Sequence, residues 1–279
     1  MTQIHWFPGH MKKALNNISE KIKIVDVVIE ILDARAPLSS MNLDLEKTIK
    51  NKKRLAVLSK ADLADPEQTK LWSEELKKEF DAFLILNLNE PKSAKILSQE
   101  VNKLGEEKRK KDIAKGMKPQ PIKAMIIGIP NVGKSSLINR LANRKAAGVQ
   151  NKPGYTRGEQ FIKVNNDFIL LDTPGVLPMN YDDKQRATNI ALLGSIREDI
   201  LPNDVLVKSL LYILRGYYPS SLKERYDIVE IKDDQVVLEN IASKRGLKNG
   251  SNFDIEKAEI VLLKDFKDGK LGRITLDRK

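Results

Sequence analysis

A chain of 279 residues with 49 Lys and Arg against 38 Asp and Glu carries a net charge of +11, and 41% of its residues are apolar. Such a length admits one large domain or two medium ones, and such a charge favours a polyanionic partner, a nucleic acid or an anionic membrane, over a merely solvated basic surface. Cysteine is absent, which excludes disulfides, zinc thiolates and a cysteine nucleophile and suits a reducing cytosol, and the apolar runs are too short to span a membrane, so a soluble cytoplasmic protein is expected.

Both histidines, His5 and His10, fall in the opening stretch HWFPGHM, which leads into a helical pattern from His10. Strands are predicted over 26–33, 54–60, 82–88, 123–129, 160–164 and 167–172, most of them continuously apolar, as in a sheet covered on both faces. Between them LDLEKTIKN, EQTKLWSEELKKEF, SAKILSQEVNKLGEEKRKK and KSSLINRLANRK read as helices, and the charged stretch 105–123 reads as a helix end running into a surface connection. Alternation of this kind implies a doubly wound, mostly parallel α/β domain over residues 1–177. After Pro178 the apolar residues recur at helical spacing in IALLGSIRED, NDVLVKSLLYILRGYY, QVVLENIASKRG and DIEKAEIVLLKDF. A small all-α domain is therefore expected over residues 178–279.

The segment GIPNVGKSS (128–136) follows one predicted strand and opens a helix, as G-x-x-x-x-G-K-[ST] requires of a phosphate loop. Gly128 and Gly133 let the backbone curl around a β-phosphate, with Asn131, Val132 and Ser136 in the same cradle. Lys134 reaches the β- and γ-phosphates, and Ser135 ligates Mg²⁺. DTPG (172–175) ends a second apolar strand, which places Asp172 to hold the metal through water and the Gly175 N–H to bond a γ-phosphate. The intervening NKPGYTRG (151–158) is the candidate switch, with Thr156 as second Mg²⁺ ligand. SKAD (59–62) closes another strand and resembles the guanine motif N-K-x-D of GTPases. In that motif Asp62 accepts two hydrogen bonds that adenine cannot supply, and the stem of Lys60 lies over the base. Ser59 stands where Asn is usual, is shorter, and is expected to lose a contact. Asn87 falls where the loop that packs on guanine belongs, without the usual S-A-K.

The guanine motif precedes the phosphate loop, the reverse of the ordinary order. Starting the chain at KAMIIGI, running to DTPG and resuming at His10 restores that order. With WFPGHM (6–11), LDARAPLSS (32–40), SKAD, GIPNVGKSSLINRL (128–141), PGYTRG (153–158) and LLDTPGVL (170–177) in this arrangement, the chain resembles the circularly permuted GTPases of the ribosome biogenesis GTPase A (YlqF/RbgA) family. LKERY (222–226), SKRG (243–246) and LGRITL (271–276) are compatible with that family's helical domain.

The resemblance implies a cytoplasmic GTP hydrolase that assists assembly of the large ribosomal subunit and binds ribosomal RNA in a GTP-controlled way, with Mg²⁺ as cofactor. It also implies a role for the opening stretch. The residue after Gly175 is Val176, which cannot orient water, and His10 matches the position thought to do so. The alternative is that His10 is a helix-cap or surface histidine that merely folds the N-terminal turn. Asn131 matches a position from which potassium-activated GTPases help hold K⁺. Arg197, Lys208, Arg215, Lys223, Arg225, Lys244, Arg245, Lys248, Arg273 and Arg278 are candidate phosphate contacts, each open to being an ordinary solvated residue. KRKK (108–111) is either an RNA contact or a solvated helix end. The competing function is an RNA-binding module in which GTP is a passive ligand. A monomer is expected.

Overall fold

The computed structural model describes residues 9–88, 90–141, 161–171, 173, 175–178, 183–196, 200–229 and 233–279, without the side chains of 9–11 and 161. Six strands form one sheet in the order β3-β2-β1-β4-β6-β5. They are β1 (Val27–Asp33), β2 (Lys53–Ser59), β3 (Ala82–Leu86), β4 (Ile122–Ile127), β5 (Phe161–Lys163) and β6 (Phe168–Leu171). All neighbouring pairs are parallel except β5 with β6. Every residue of β1 is buried, so its sequence shows no alternation.

Side chains of β1 divide between the two faces. Val28 packs in a cluster with Ala14, Leu15 and Ile18 of α1 (Gly9–Lys21) and Leu45 and Ile49 of α2 (Leu43–Ile49). Val27, Ile29 and Ile31 pack on the other face with Leu97 and Val101 of α4 (Lys92–Leu104) and Leu137 and Ile138 of α6 (Lys134–Leu141). Beyond them α3 (Pro66–Leu76) buries Trp72 and Leu76 against Leu58 of β2. Asp65 starts α3 by accepting the N–H groups of Glu67 and Gln68, with Pro66 at the first helical position.

The stretch expected as one helix over 93–111 is two, because the chain breaks at Gly105 before α5 (Glu106–Ala114). A Cβ at Gly105 would lie 2.4 Å from the side chain of Ile122. The following joint to β4 is pinned by Lys108, which pairs with Asp26 at 3.3 Å and donates to the Pro121 carbonyl, and by Arg109, which donates to the Asp167 carbonyl. Half of KRKK is thus part of the fold's own framework.

The remaining helices are α7 (Lys184–Leu192), α8 (Asn203–Tyr217), α9 (Ser220–Tyr226), α10 (Asp234–Arg245) and α11 (Ile255–Lys267). A small hairpin, β7 (Lys248–Asn249) with β8 (Asn252–Phe253), interrupts the otherwise helical C-terminal portion. One cluster of buried apolar side chains runs from β1 and β4 through Ile190, Leu210, Ile241 and Leu262 to Leu276. The final segment, 269–279, returns to the sheet, where the Leu276 N–H donates to the Arg35 carbonyl and Trp72 Nε1 donates to the Asp277 carbonyl.

Candidate functional site

In an open parallel sheet, ligands gather at the carboxyl ends of the strands. Here Asp33 and Ser59 end β1 and β2, and Asn87, the loop 128–133 and Gly175 follow the carboxyl ends of β3, β4 and β6. The fold therefore brings the described parts of SKAD, the phosphate loop and DTPG, scattered over some 120 residues, to one end of the sheet.

The phosphate loop is as tight as its glycines require. Gly128 has φ +152 and Gly133 φ +105, and a Cβ at Gly128 would meet the Ile31 carbonyl oxygen at 2.7 Å. Gly133 is likewise crowded by Leu88, which follows Asn87. Lys134 is buried, and its Nζ donates to the carbonyls of Gly128 and Ile129 at 3.1 and 2.8 Å. Ser135 and Ser136 follow it in the first turn of α6, half-buried.

SKAD is bonded directly to this loop. Ser59, fully buried, donates through Oγ and lies 2.7 Å from the Val132 carbonyl and 2.9 Å from the Leu32 carbonyl. On the loop side the short side chain suffices, because the end of β2 abuts the loop closely. Lys60 adopts φ +55, which turns its side chain back to donate to the Asn131 carbonyl at 2.7 Å and to Asp33 at 2.9 Å. Asp62 is exposed two residues on. Asn87 accepts from the Ser93 hydroxyl at 2.6 Å through its carbonyl, which fixes the start of α4 beside the site.

Beneath Lys60 lies an ion pair to which the motif reading gave no role. Asp33 accepts from Arg35 through both carboxylate oxygens and from Lys60, and is 1% exposed. Burial alone would raise its pKa, but the two cations outweigh it and hold the carboxyl well below the usual carboxylate range. Burial also pulls Lys60 down, with Asp33 opposing. The signal available in the sequence was an acid closing a strand otherwise apolar but for Glu30, followed two residues later by Arg.

Gly175 lies over the phosphate loop. A Cβ there would come 2.9 Å from Lys134 Nζ and from the backbone of Pro130. The next residue, Val176, is buried in the cluster that contains Leu15 and Ile18 of α1, and its N–H donates to the Gly128 carbonyl. The Asn42 side chain, which also caps α2, donates to the Val176 carbonyl at 2.9 Å. His10 is the second residue of α1, and its side chain lies outside the described residues, as do Thr156 and Asp172.

Contacts from the C-terminal portion complete the loop and were not foreseen. After α7, Ser195 Oγ donates to the Pro130 carbonyl at 2.7 Å, and Asn131, at φ +62, donates through Nδ2 to the Gly194 carbonyl. Of the basic residues offered as phosphate contacts, Arg273 donates to Ala61 and Ala64 carbonyls, and Arg278 pairs with Asp65 at 3.0 Å. Lys208, Arg215 and Lys244 pair with Asp204, Asp234 and Asp227. Arg197 lies outside the described residues. Among the described residues no group of three or more His, Cys, Asp or Glu could by itself hold a metal.

Residues 123–239 match the family model described as 50S ribosome-binding GTPase, a match that begins at β4, where the rotated order begins. Ribosome biogenesis GTPase A of Bacillus cereus is 42% identical over 277 residues, covering 98% of this chain and 93% of its own length. Its namesake in Priestia megaterium is 42% identical over 278 residues, with 98% and 96% covered. The crystal structure of GNP-bound YlqF from T. maritima superposes with a TM-score of 0.67 at 26% identity, covering 95% of this chain and 98% of that one.

Proposed function

The chain belongs to the ribosome biogenesis GTPase A family, and we propose that it hydrolyses GTP as an assembly factor of the large ribosomal subunit, engaging ribosomal RNA under nucleotide control. The observation that carries this reading is the bonding of Ser59 and Lys60 to the carbonyls of Val132 and Asn131. A base-reading motif locked to a phosphate-binding loop suits one ligand that carries both a guanine and phosphates.

In this reading Lys134 exchanges its bonds to Gly128 and Ile129 for phosphate oxygens, and Asp62 accepts from the guanine. Ser135, Thr156 and Asp172 would hold Mg²⁺, which would supply positive charge against that of the phosphates. Asn131 donates through Nδ2 to Gly194, which leaves its amide oxygen as the end that would hold a K⁺ ion. Gly175 reports the γ-phosphate, since the space above Pro130 admits no side chain. His10, at the start of the helix whose cluster holds Val176, positions the attacking water. Replacing it with Ala is expected to leave GTP binding intact and slow hydrolysis by roughly 10²–10⁴-fold, and an unchanged rate would remove the assignment.

Residues 178–279 act as the RNA-facing helical domain. Their basic hollow of about 300 Å³ is lined by Arg225, Arg245, Lys264 and Lys270 around Asp265. Asp265 orients Arg225 and Arg245 at 2.8 and 2.9 Å without neutralising the group, which suits the phosphates of an RNA backbone. No described helix is long and apolar enough to cross a membrane, and the proposed setting is the cytoplasm.

The deciding experiment measures GTP hydrolysis in KCl and in NaCl, with and without purified large ribosomal subunits. Stimulation by subunits of up to roughly 10³–10⁵-fold, the effect of completing such a site, is expected, together with a faster rate in KCl. No stimulation would turn the reading towards an RNA-binding module with a passive nucleotide, and equal rates in the two salts would end the K⁺ assignment.

A further inference from the structure

Asp62 makes its proposed contact from the loop 60–65, and that loop has little to hold it by itself. Its one internal backbone bond runs from the Leu63 N–H to the Lys60 carbonyl at 2.9 Å. Beyond Lys60, whose ammonium bonds Asp33 and the Asn131 carbonyl, most of its ties come from a segment some 210 residues away in sequence. Arg273 Nε donates to the Ala64 carbonyl and its Nη2 to the Ala61 carbonyl, each at 2.9 Å, so one planar guanidinium spans the two sides of Asp62. The Ile274 N–H donates to the Leu63 carbonyl at 3.1 Å, and the Asp65 N–H donates to Thr275 Oγ1 at 3.1 Å. Leu63 in turn packs against Gly269, where φ is +73 and a Cβ would lie 2.6 Å from Leu63 Cδ2. Asp65 is fixed from the same side by the Tyr218 hydroxyl at 2.9 Å and Arg278 at 3.0 Å. Ile274 and Thr275 are buried, so the strap is a packed part of the fold.

We propose that Arg273 is a positioning residue for base selection: by clamping the Ala61 and Ala64 carbonyls it sets where the Asp62 carboxylate sits, so the segment 269–278 tunes the preference for guanine. This rests on the reading of Asp62 as the guanine ligand. A carboxylate takes two hydrogen bonds from N1 and the 2-amino group of guanine only if both oxygens are held in the base plane. A fork of five fixed donors suits two carbonyls at once, where a lysine ammonium would serve one of them well.

The test measures affinity for GDP and for IDP, whose base lacks the 2-amino group, on the full chain of wild type, Arg273→Ala, Arg273→Lys and Asp62→Asn. The ratio of the two affinities does not depend on how much of a sample is folded, so a variant that is merely less stable leaves it unchanged. The expected result is a drop in the GDP-to-IDP ratio on the order of tenfold for Arg273→Ala, with Arg273→Lys between it and wild type. A wild-type ratio in Arg273→Ala, or in Arg273→Lys should the alanine variant not fold, overturns the proposal while a changed ratio in Asp62→Asn keeps Asp62 as the base ligand. An unchanged ratio in Asp62→Asn overturns that underlying reading, and the proposal with it.

Discussion

Asp33 shows how single residues here depend on their neighbours. Its carboxylate is 1% exposed and is kept ionised by Arg35 and Lys60. Because its folded pKa is depressed, its contribution to stability is complete above about pH 4, the unfolded value, and is lost as the pH falls through the lower folded value. Asp33→Asn leaves two cations without their counter-charge, one of them the 2% exposed Arg35, and is expected to cost about 3–5 kcal/mol at pH 7. Urea melts at pH 7 and pH 3 check this, with a smaller gap between variant and wild type at the lower pH; a gap that widens at pH 3 would contradict the depressed pKa. Ser59→Ala strands the Val132 carbonyl and frees the phosphate loop on that side. It is expected to weaken GDP binding by about tenfold, at roughly 1–3 kcal/mol for an unpaired buried acceptor, read by titration with a fluorescent GDP analogue.

Among the elements, the turn after α7 acts on the phosphate loop from outside the sheet. Removing the Ser195 hydroxyl costs its bond to the Pro130 carbonyl, about 1 kcal/mol, and Ser195→Ala is expected to release GDP several-fold faster in a displacement assay, with the Asp62 loop undisturbed. How far these elements could be read in advance follows from their physics. The inner strands β1, β2 and β4 were legible because burial on both faces writes nearly continuous apolar runs, β3 by its apolar run although it is only half-buried, and the glycine-rich loop by its two glycines at positive φ. The close packing of Gly105 on the side chain of Ile122, 17 residues on, was not legible, since no local pattern records it. Helix α9 and the β7–β8 hairpin are too short to build a period. The strap 269–278 and the Ser195 contact leave no local trace, because they are hydrogen bonds between carbonyls and side chains far apart in the chain. Lys60 was read as a base-covering stem, while its ammonium is also the bridge from Asp33 to the loop.

At the scale of the molecule, the apolar core passes from the sheet into the helices and ends on Leu276, which is 4% exposed. Leu276→Ala is expected to cost about 2–5 kcal/mol and to lower the melting temperature seen by circular dichroism and by tryptophan fluorescence together, because Trp72 lies against the same segment. Two separate transitions would show that sheet and helices unfold independently. The sheet order has another consequence, for the chain during its own synthesis. β1, buried along its whole length, is hydrogen-bonded on one side by β2 and on the other by β4, whose first residue, Ile122, is made about 90 residues after Asp33. At roughly 5–20 residues per second, the half-sheet β3-β2-β1, complete only once Leu86 is made, waits on the order of a few seconds for β4 with an apolar edge open to pairing by any other strand. Glu30 and Arg54, a charged pair set inside that half-sheet, give a nascent neighbour a poor surface to stack on until β4 emerges and closes the gap.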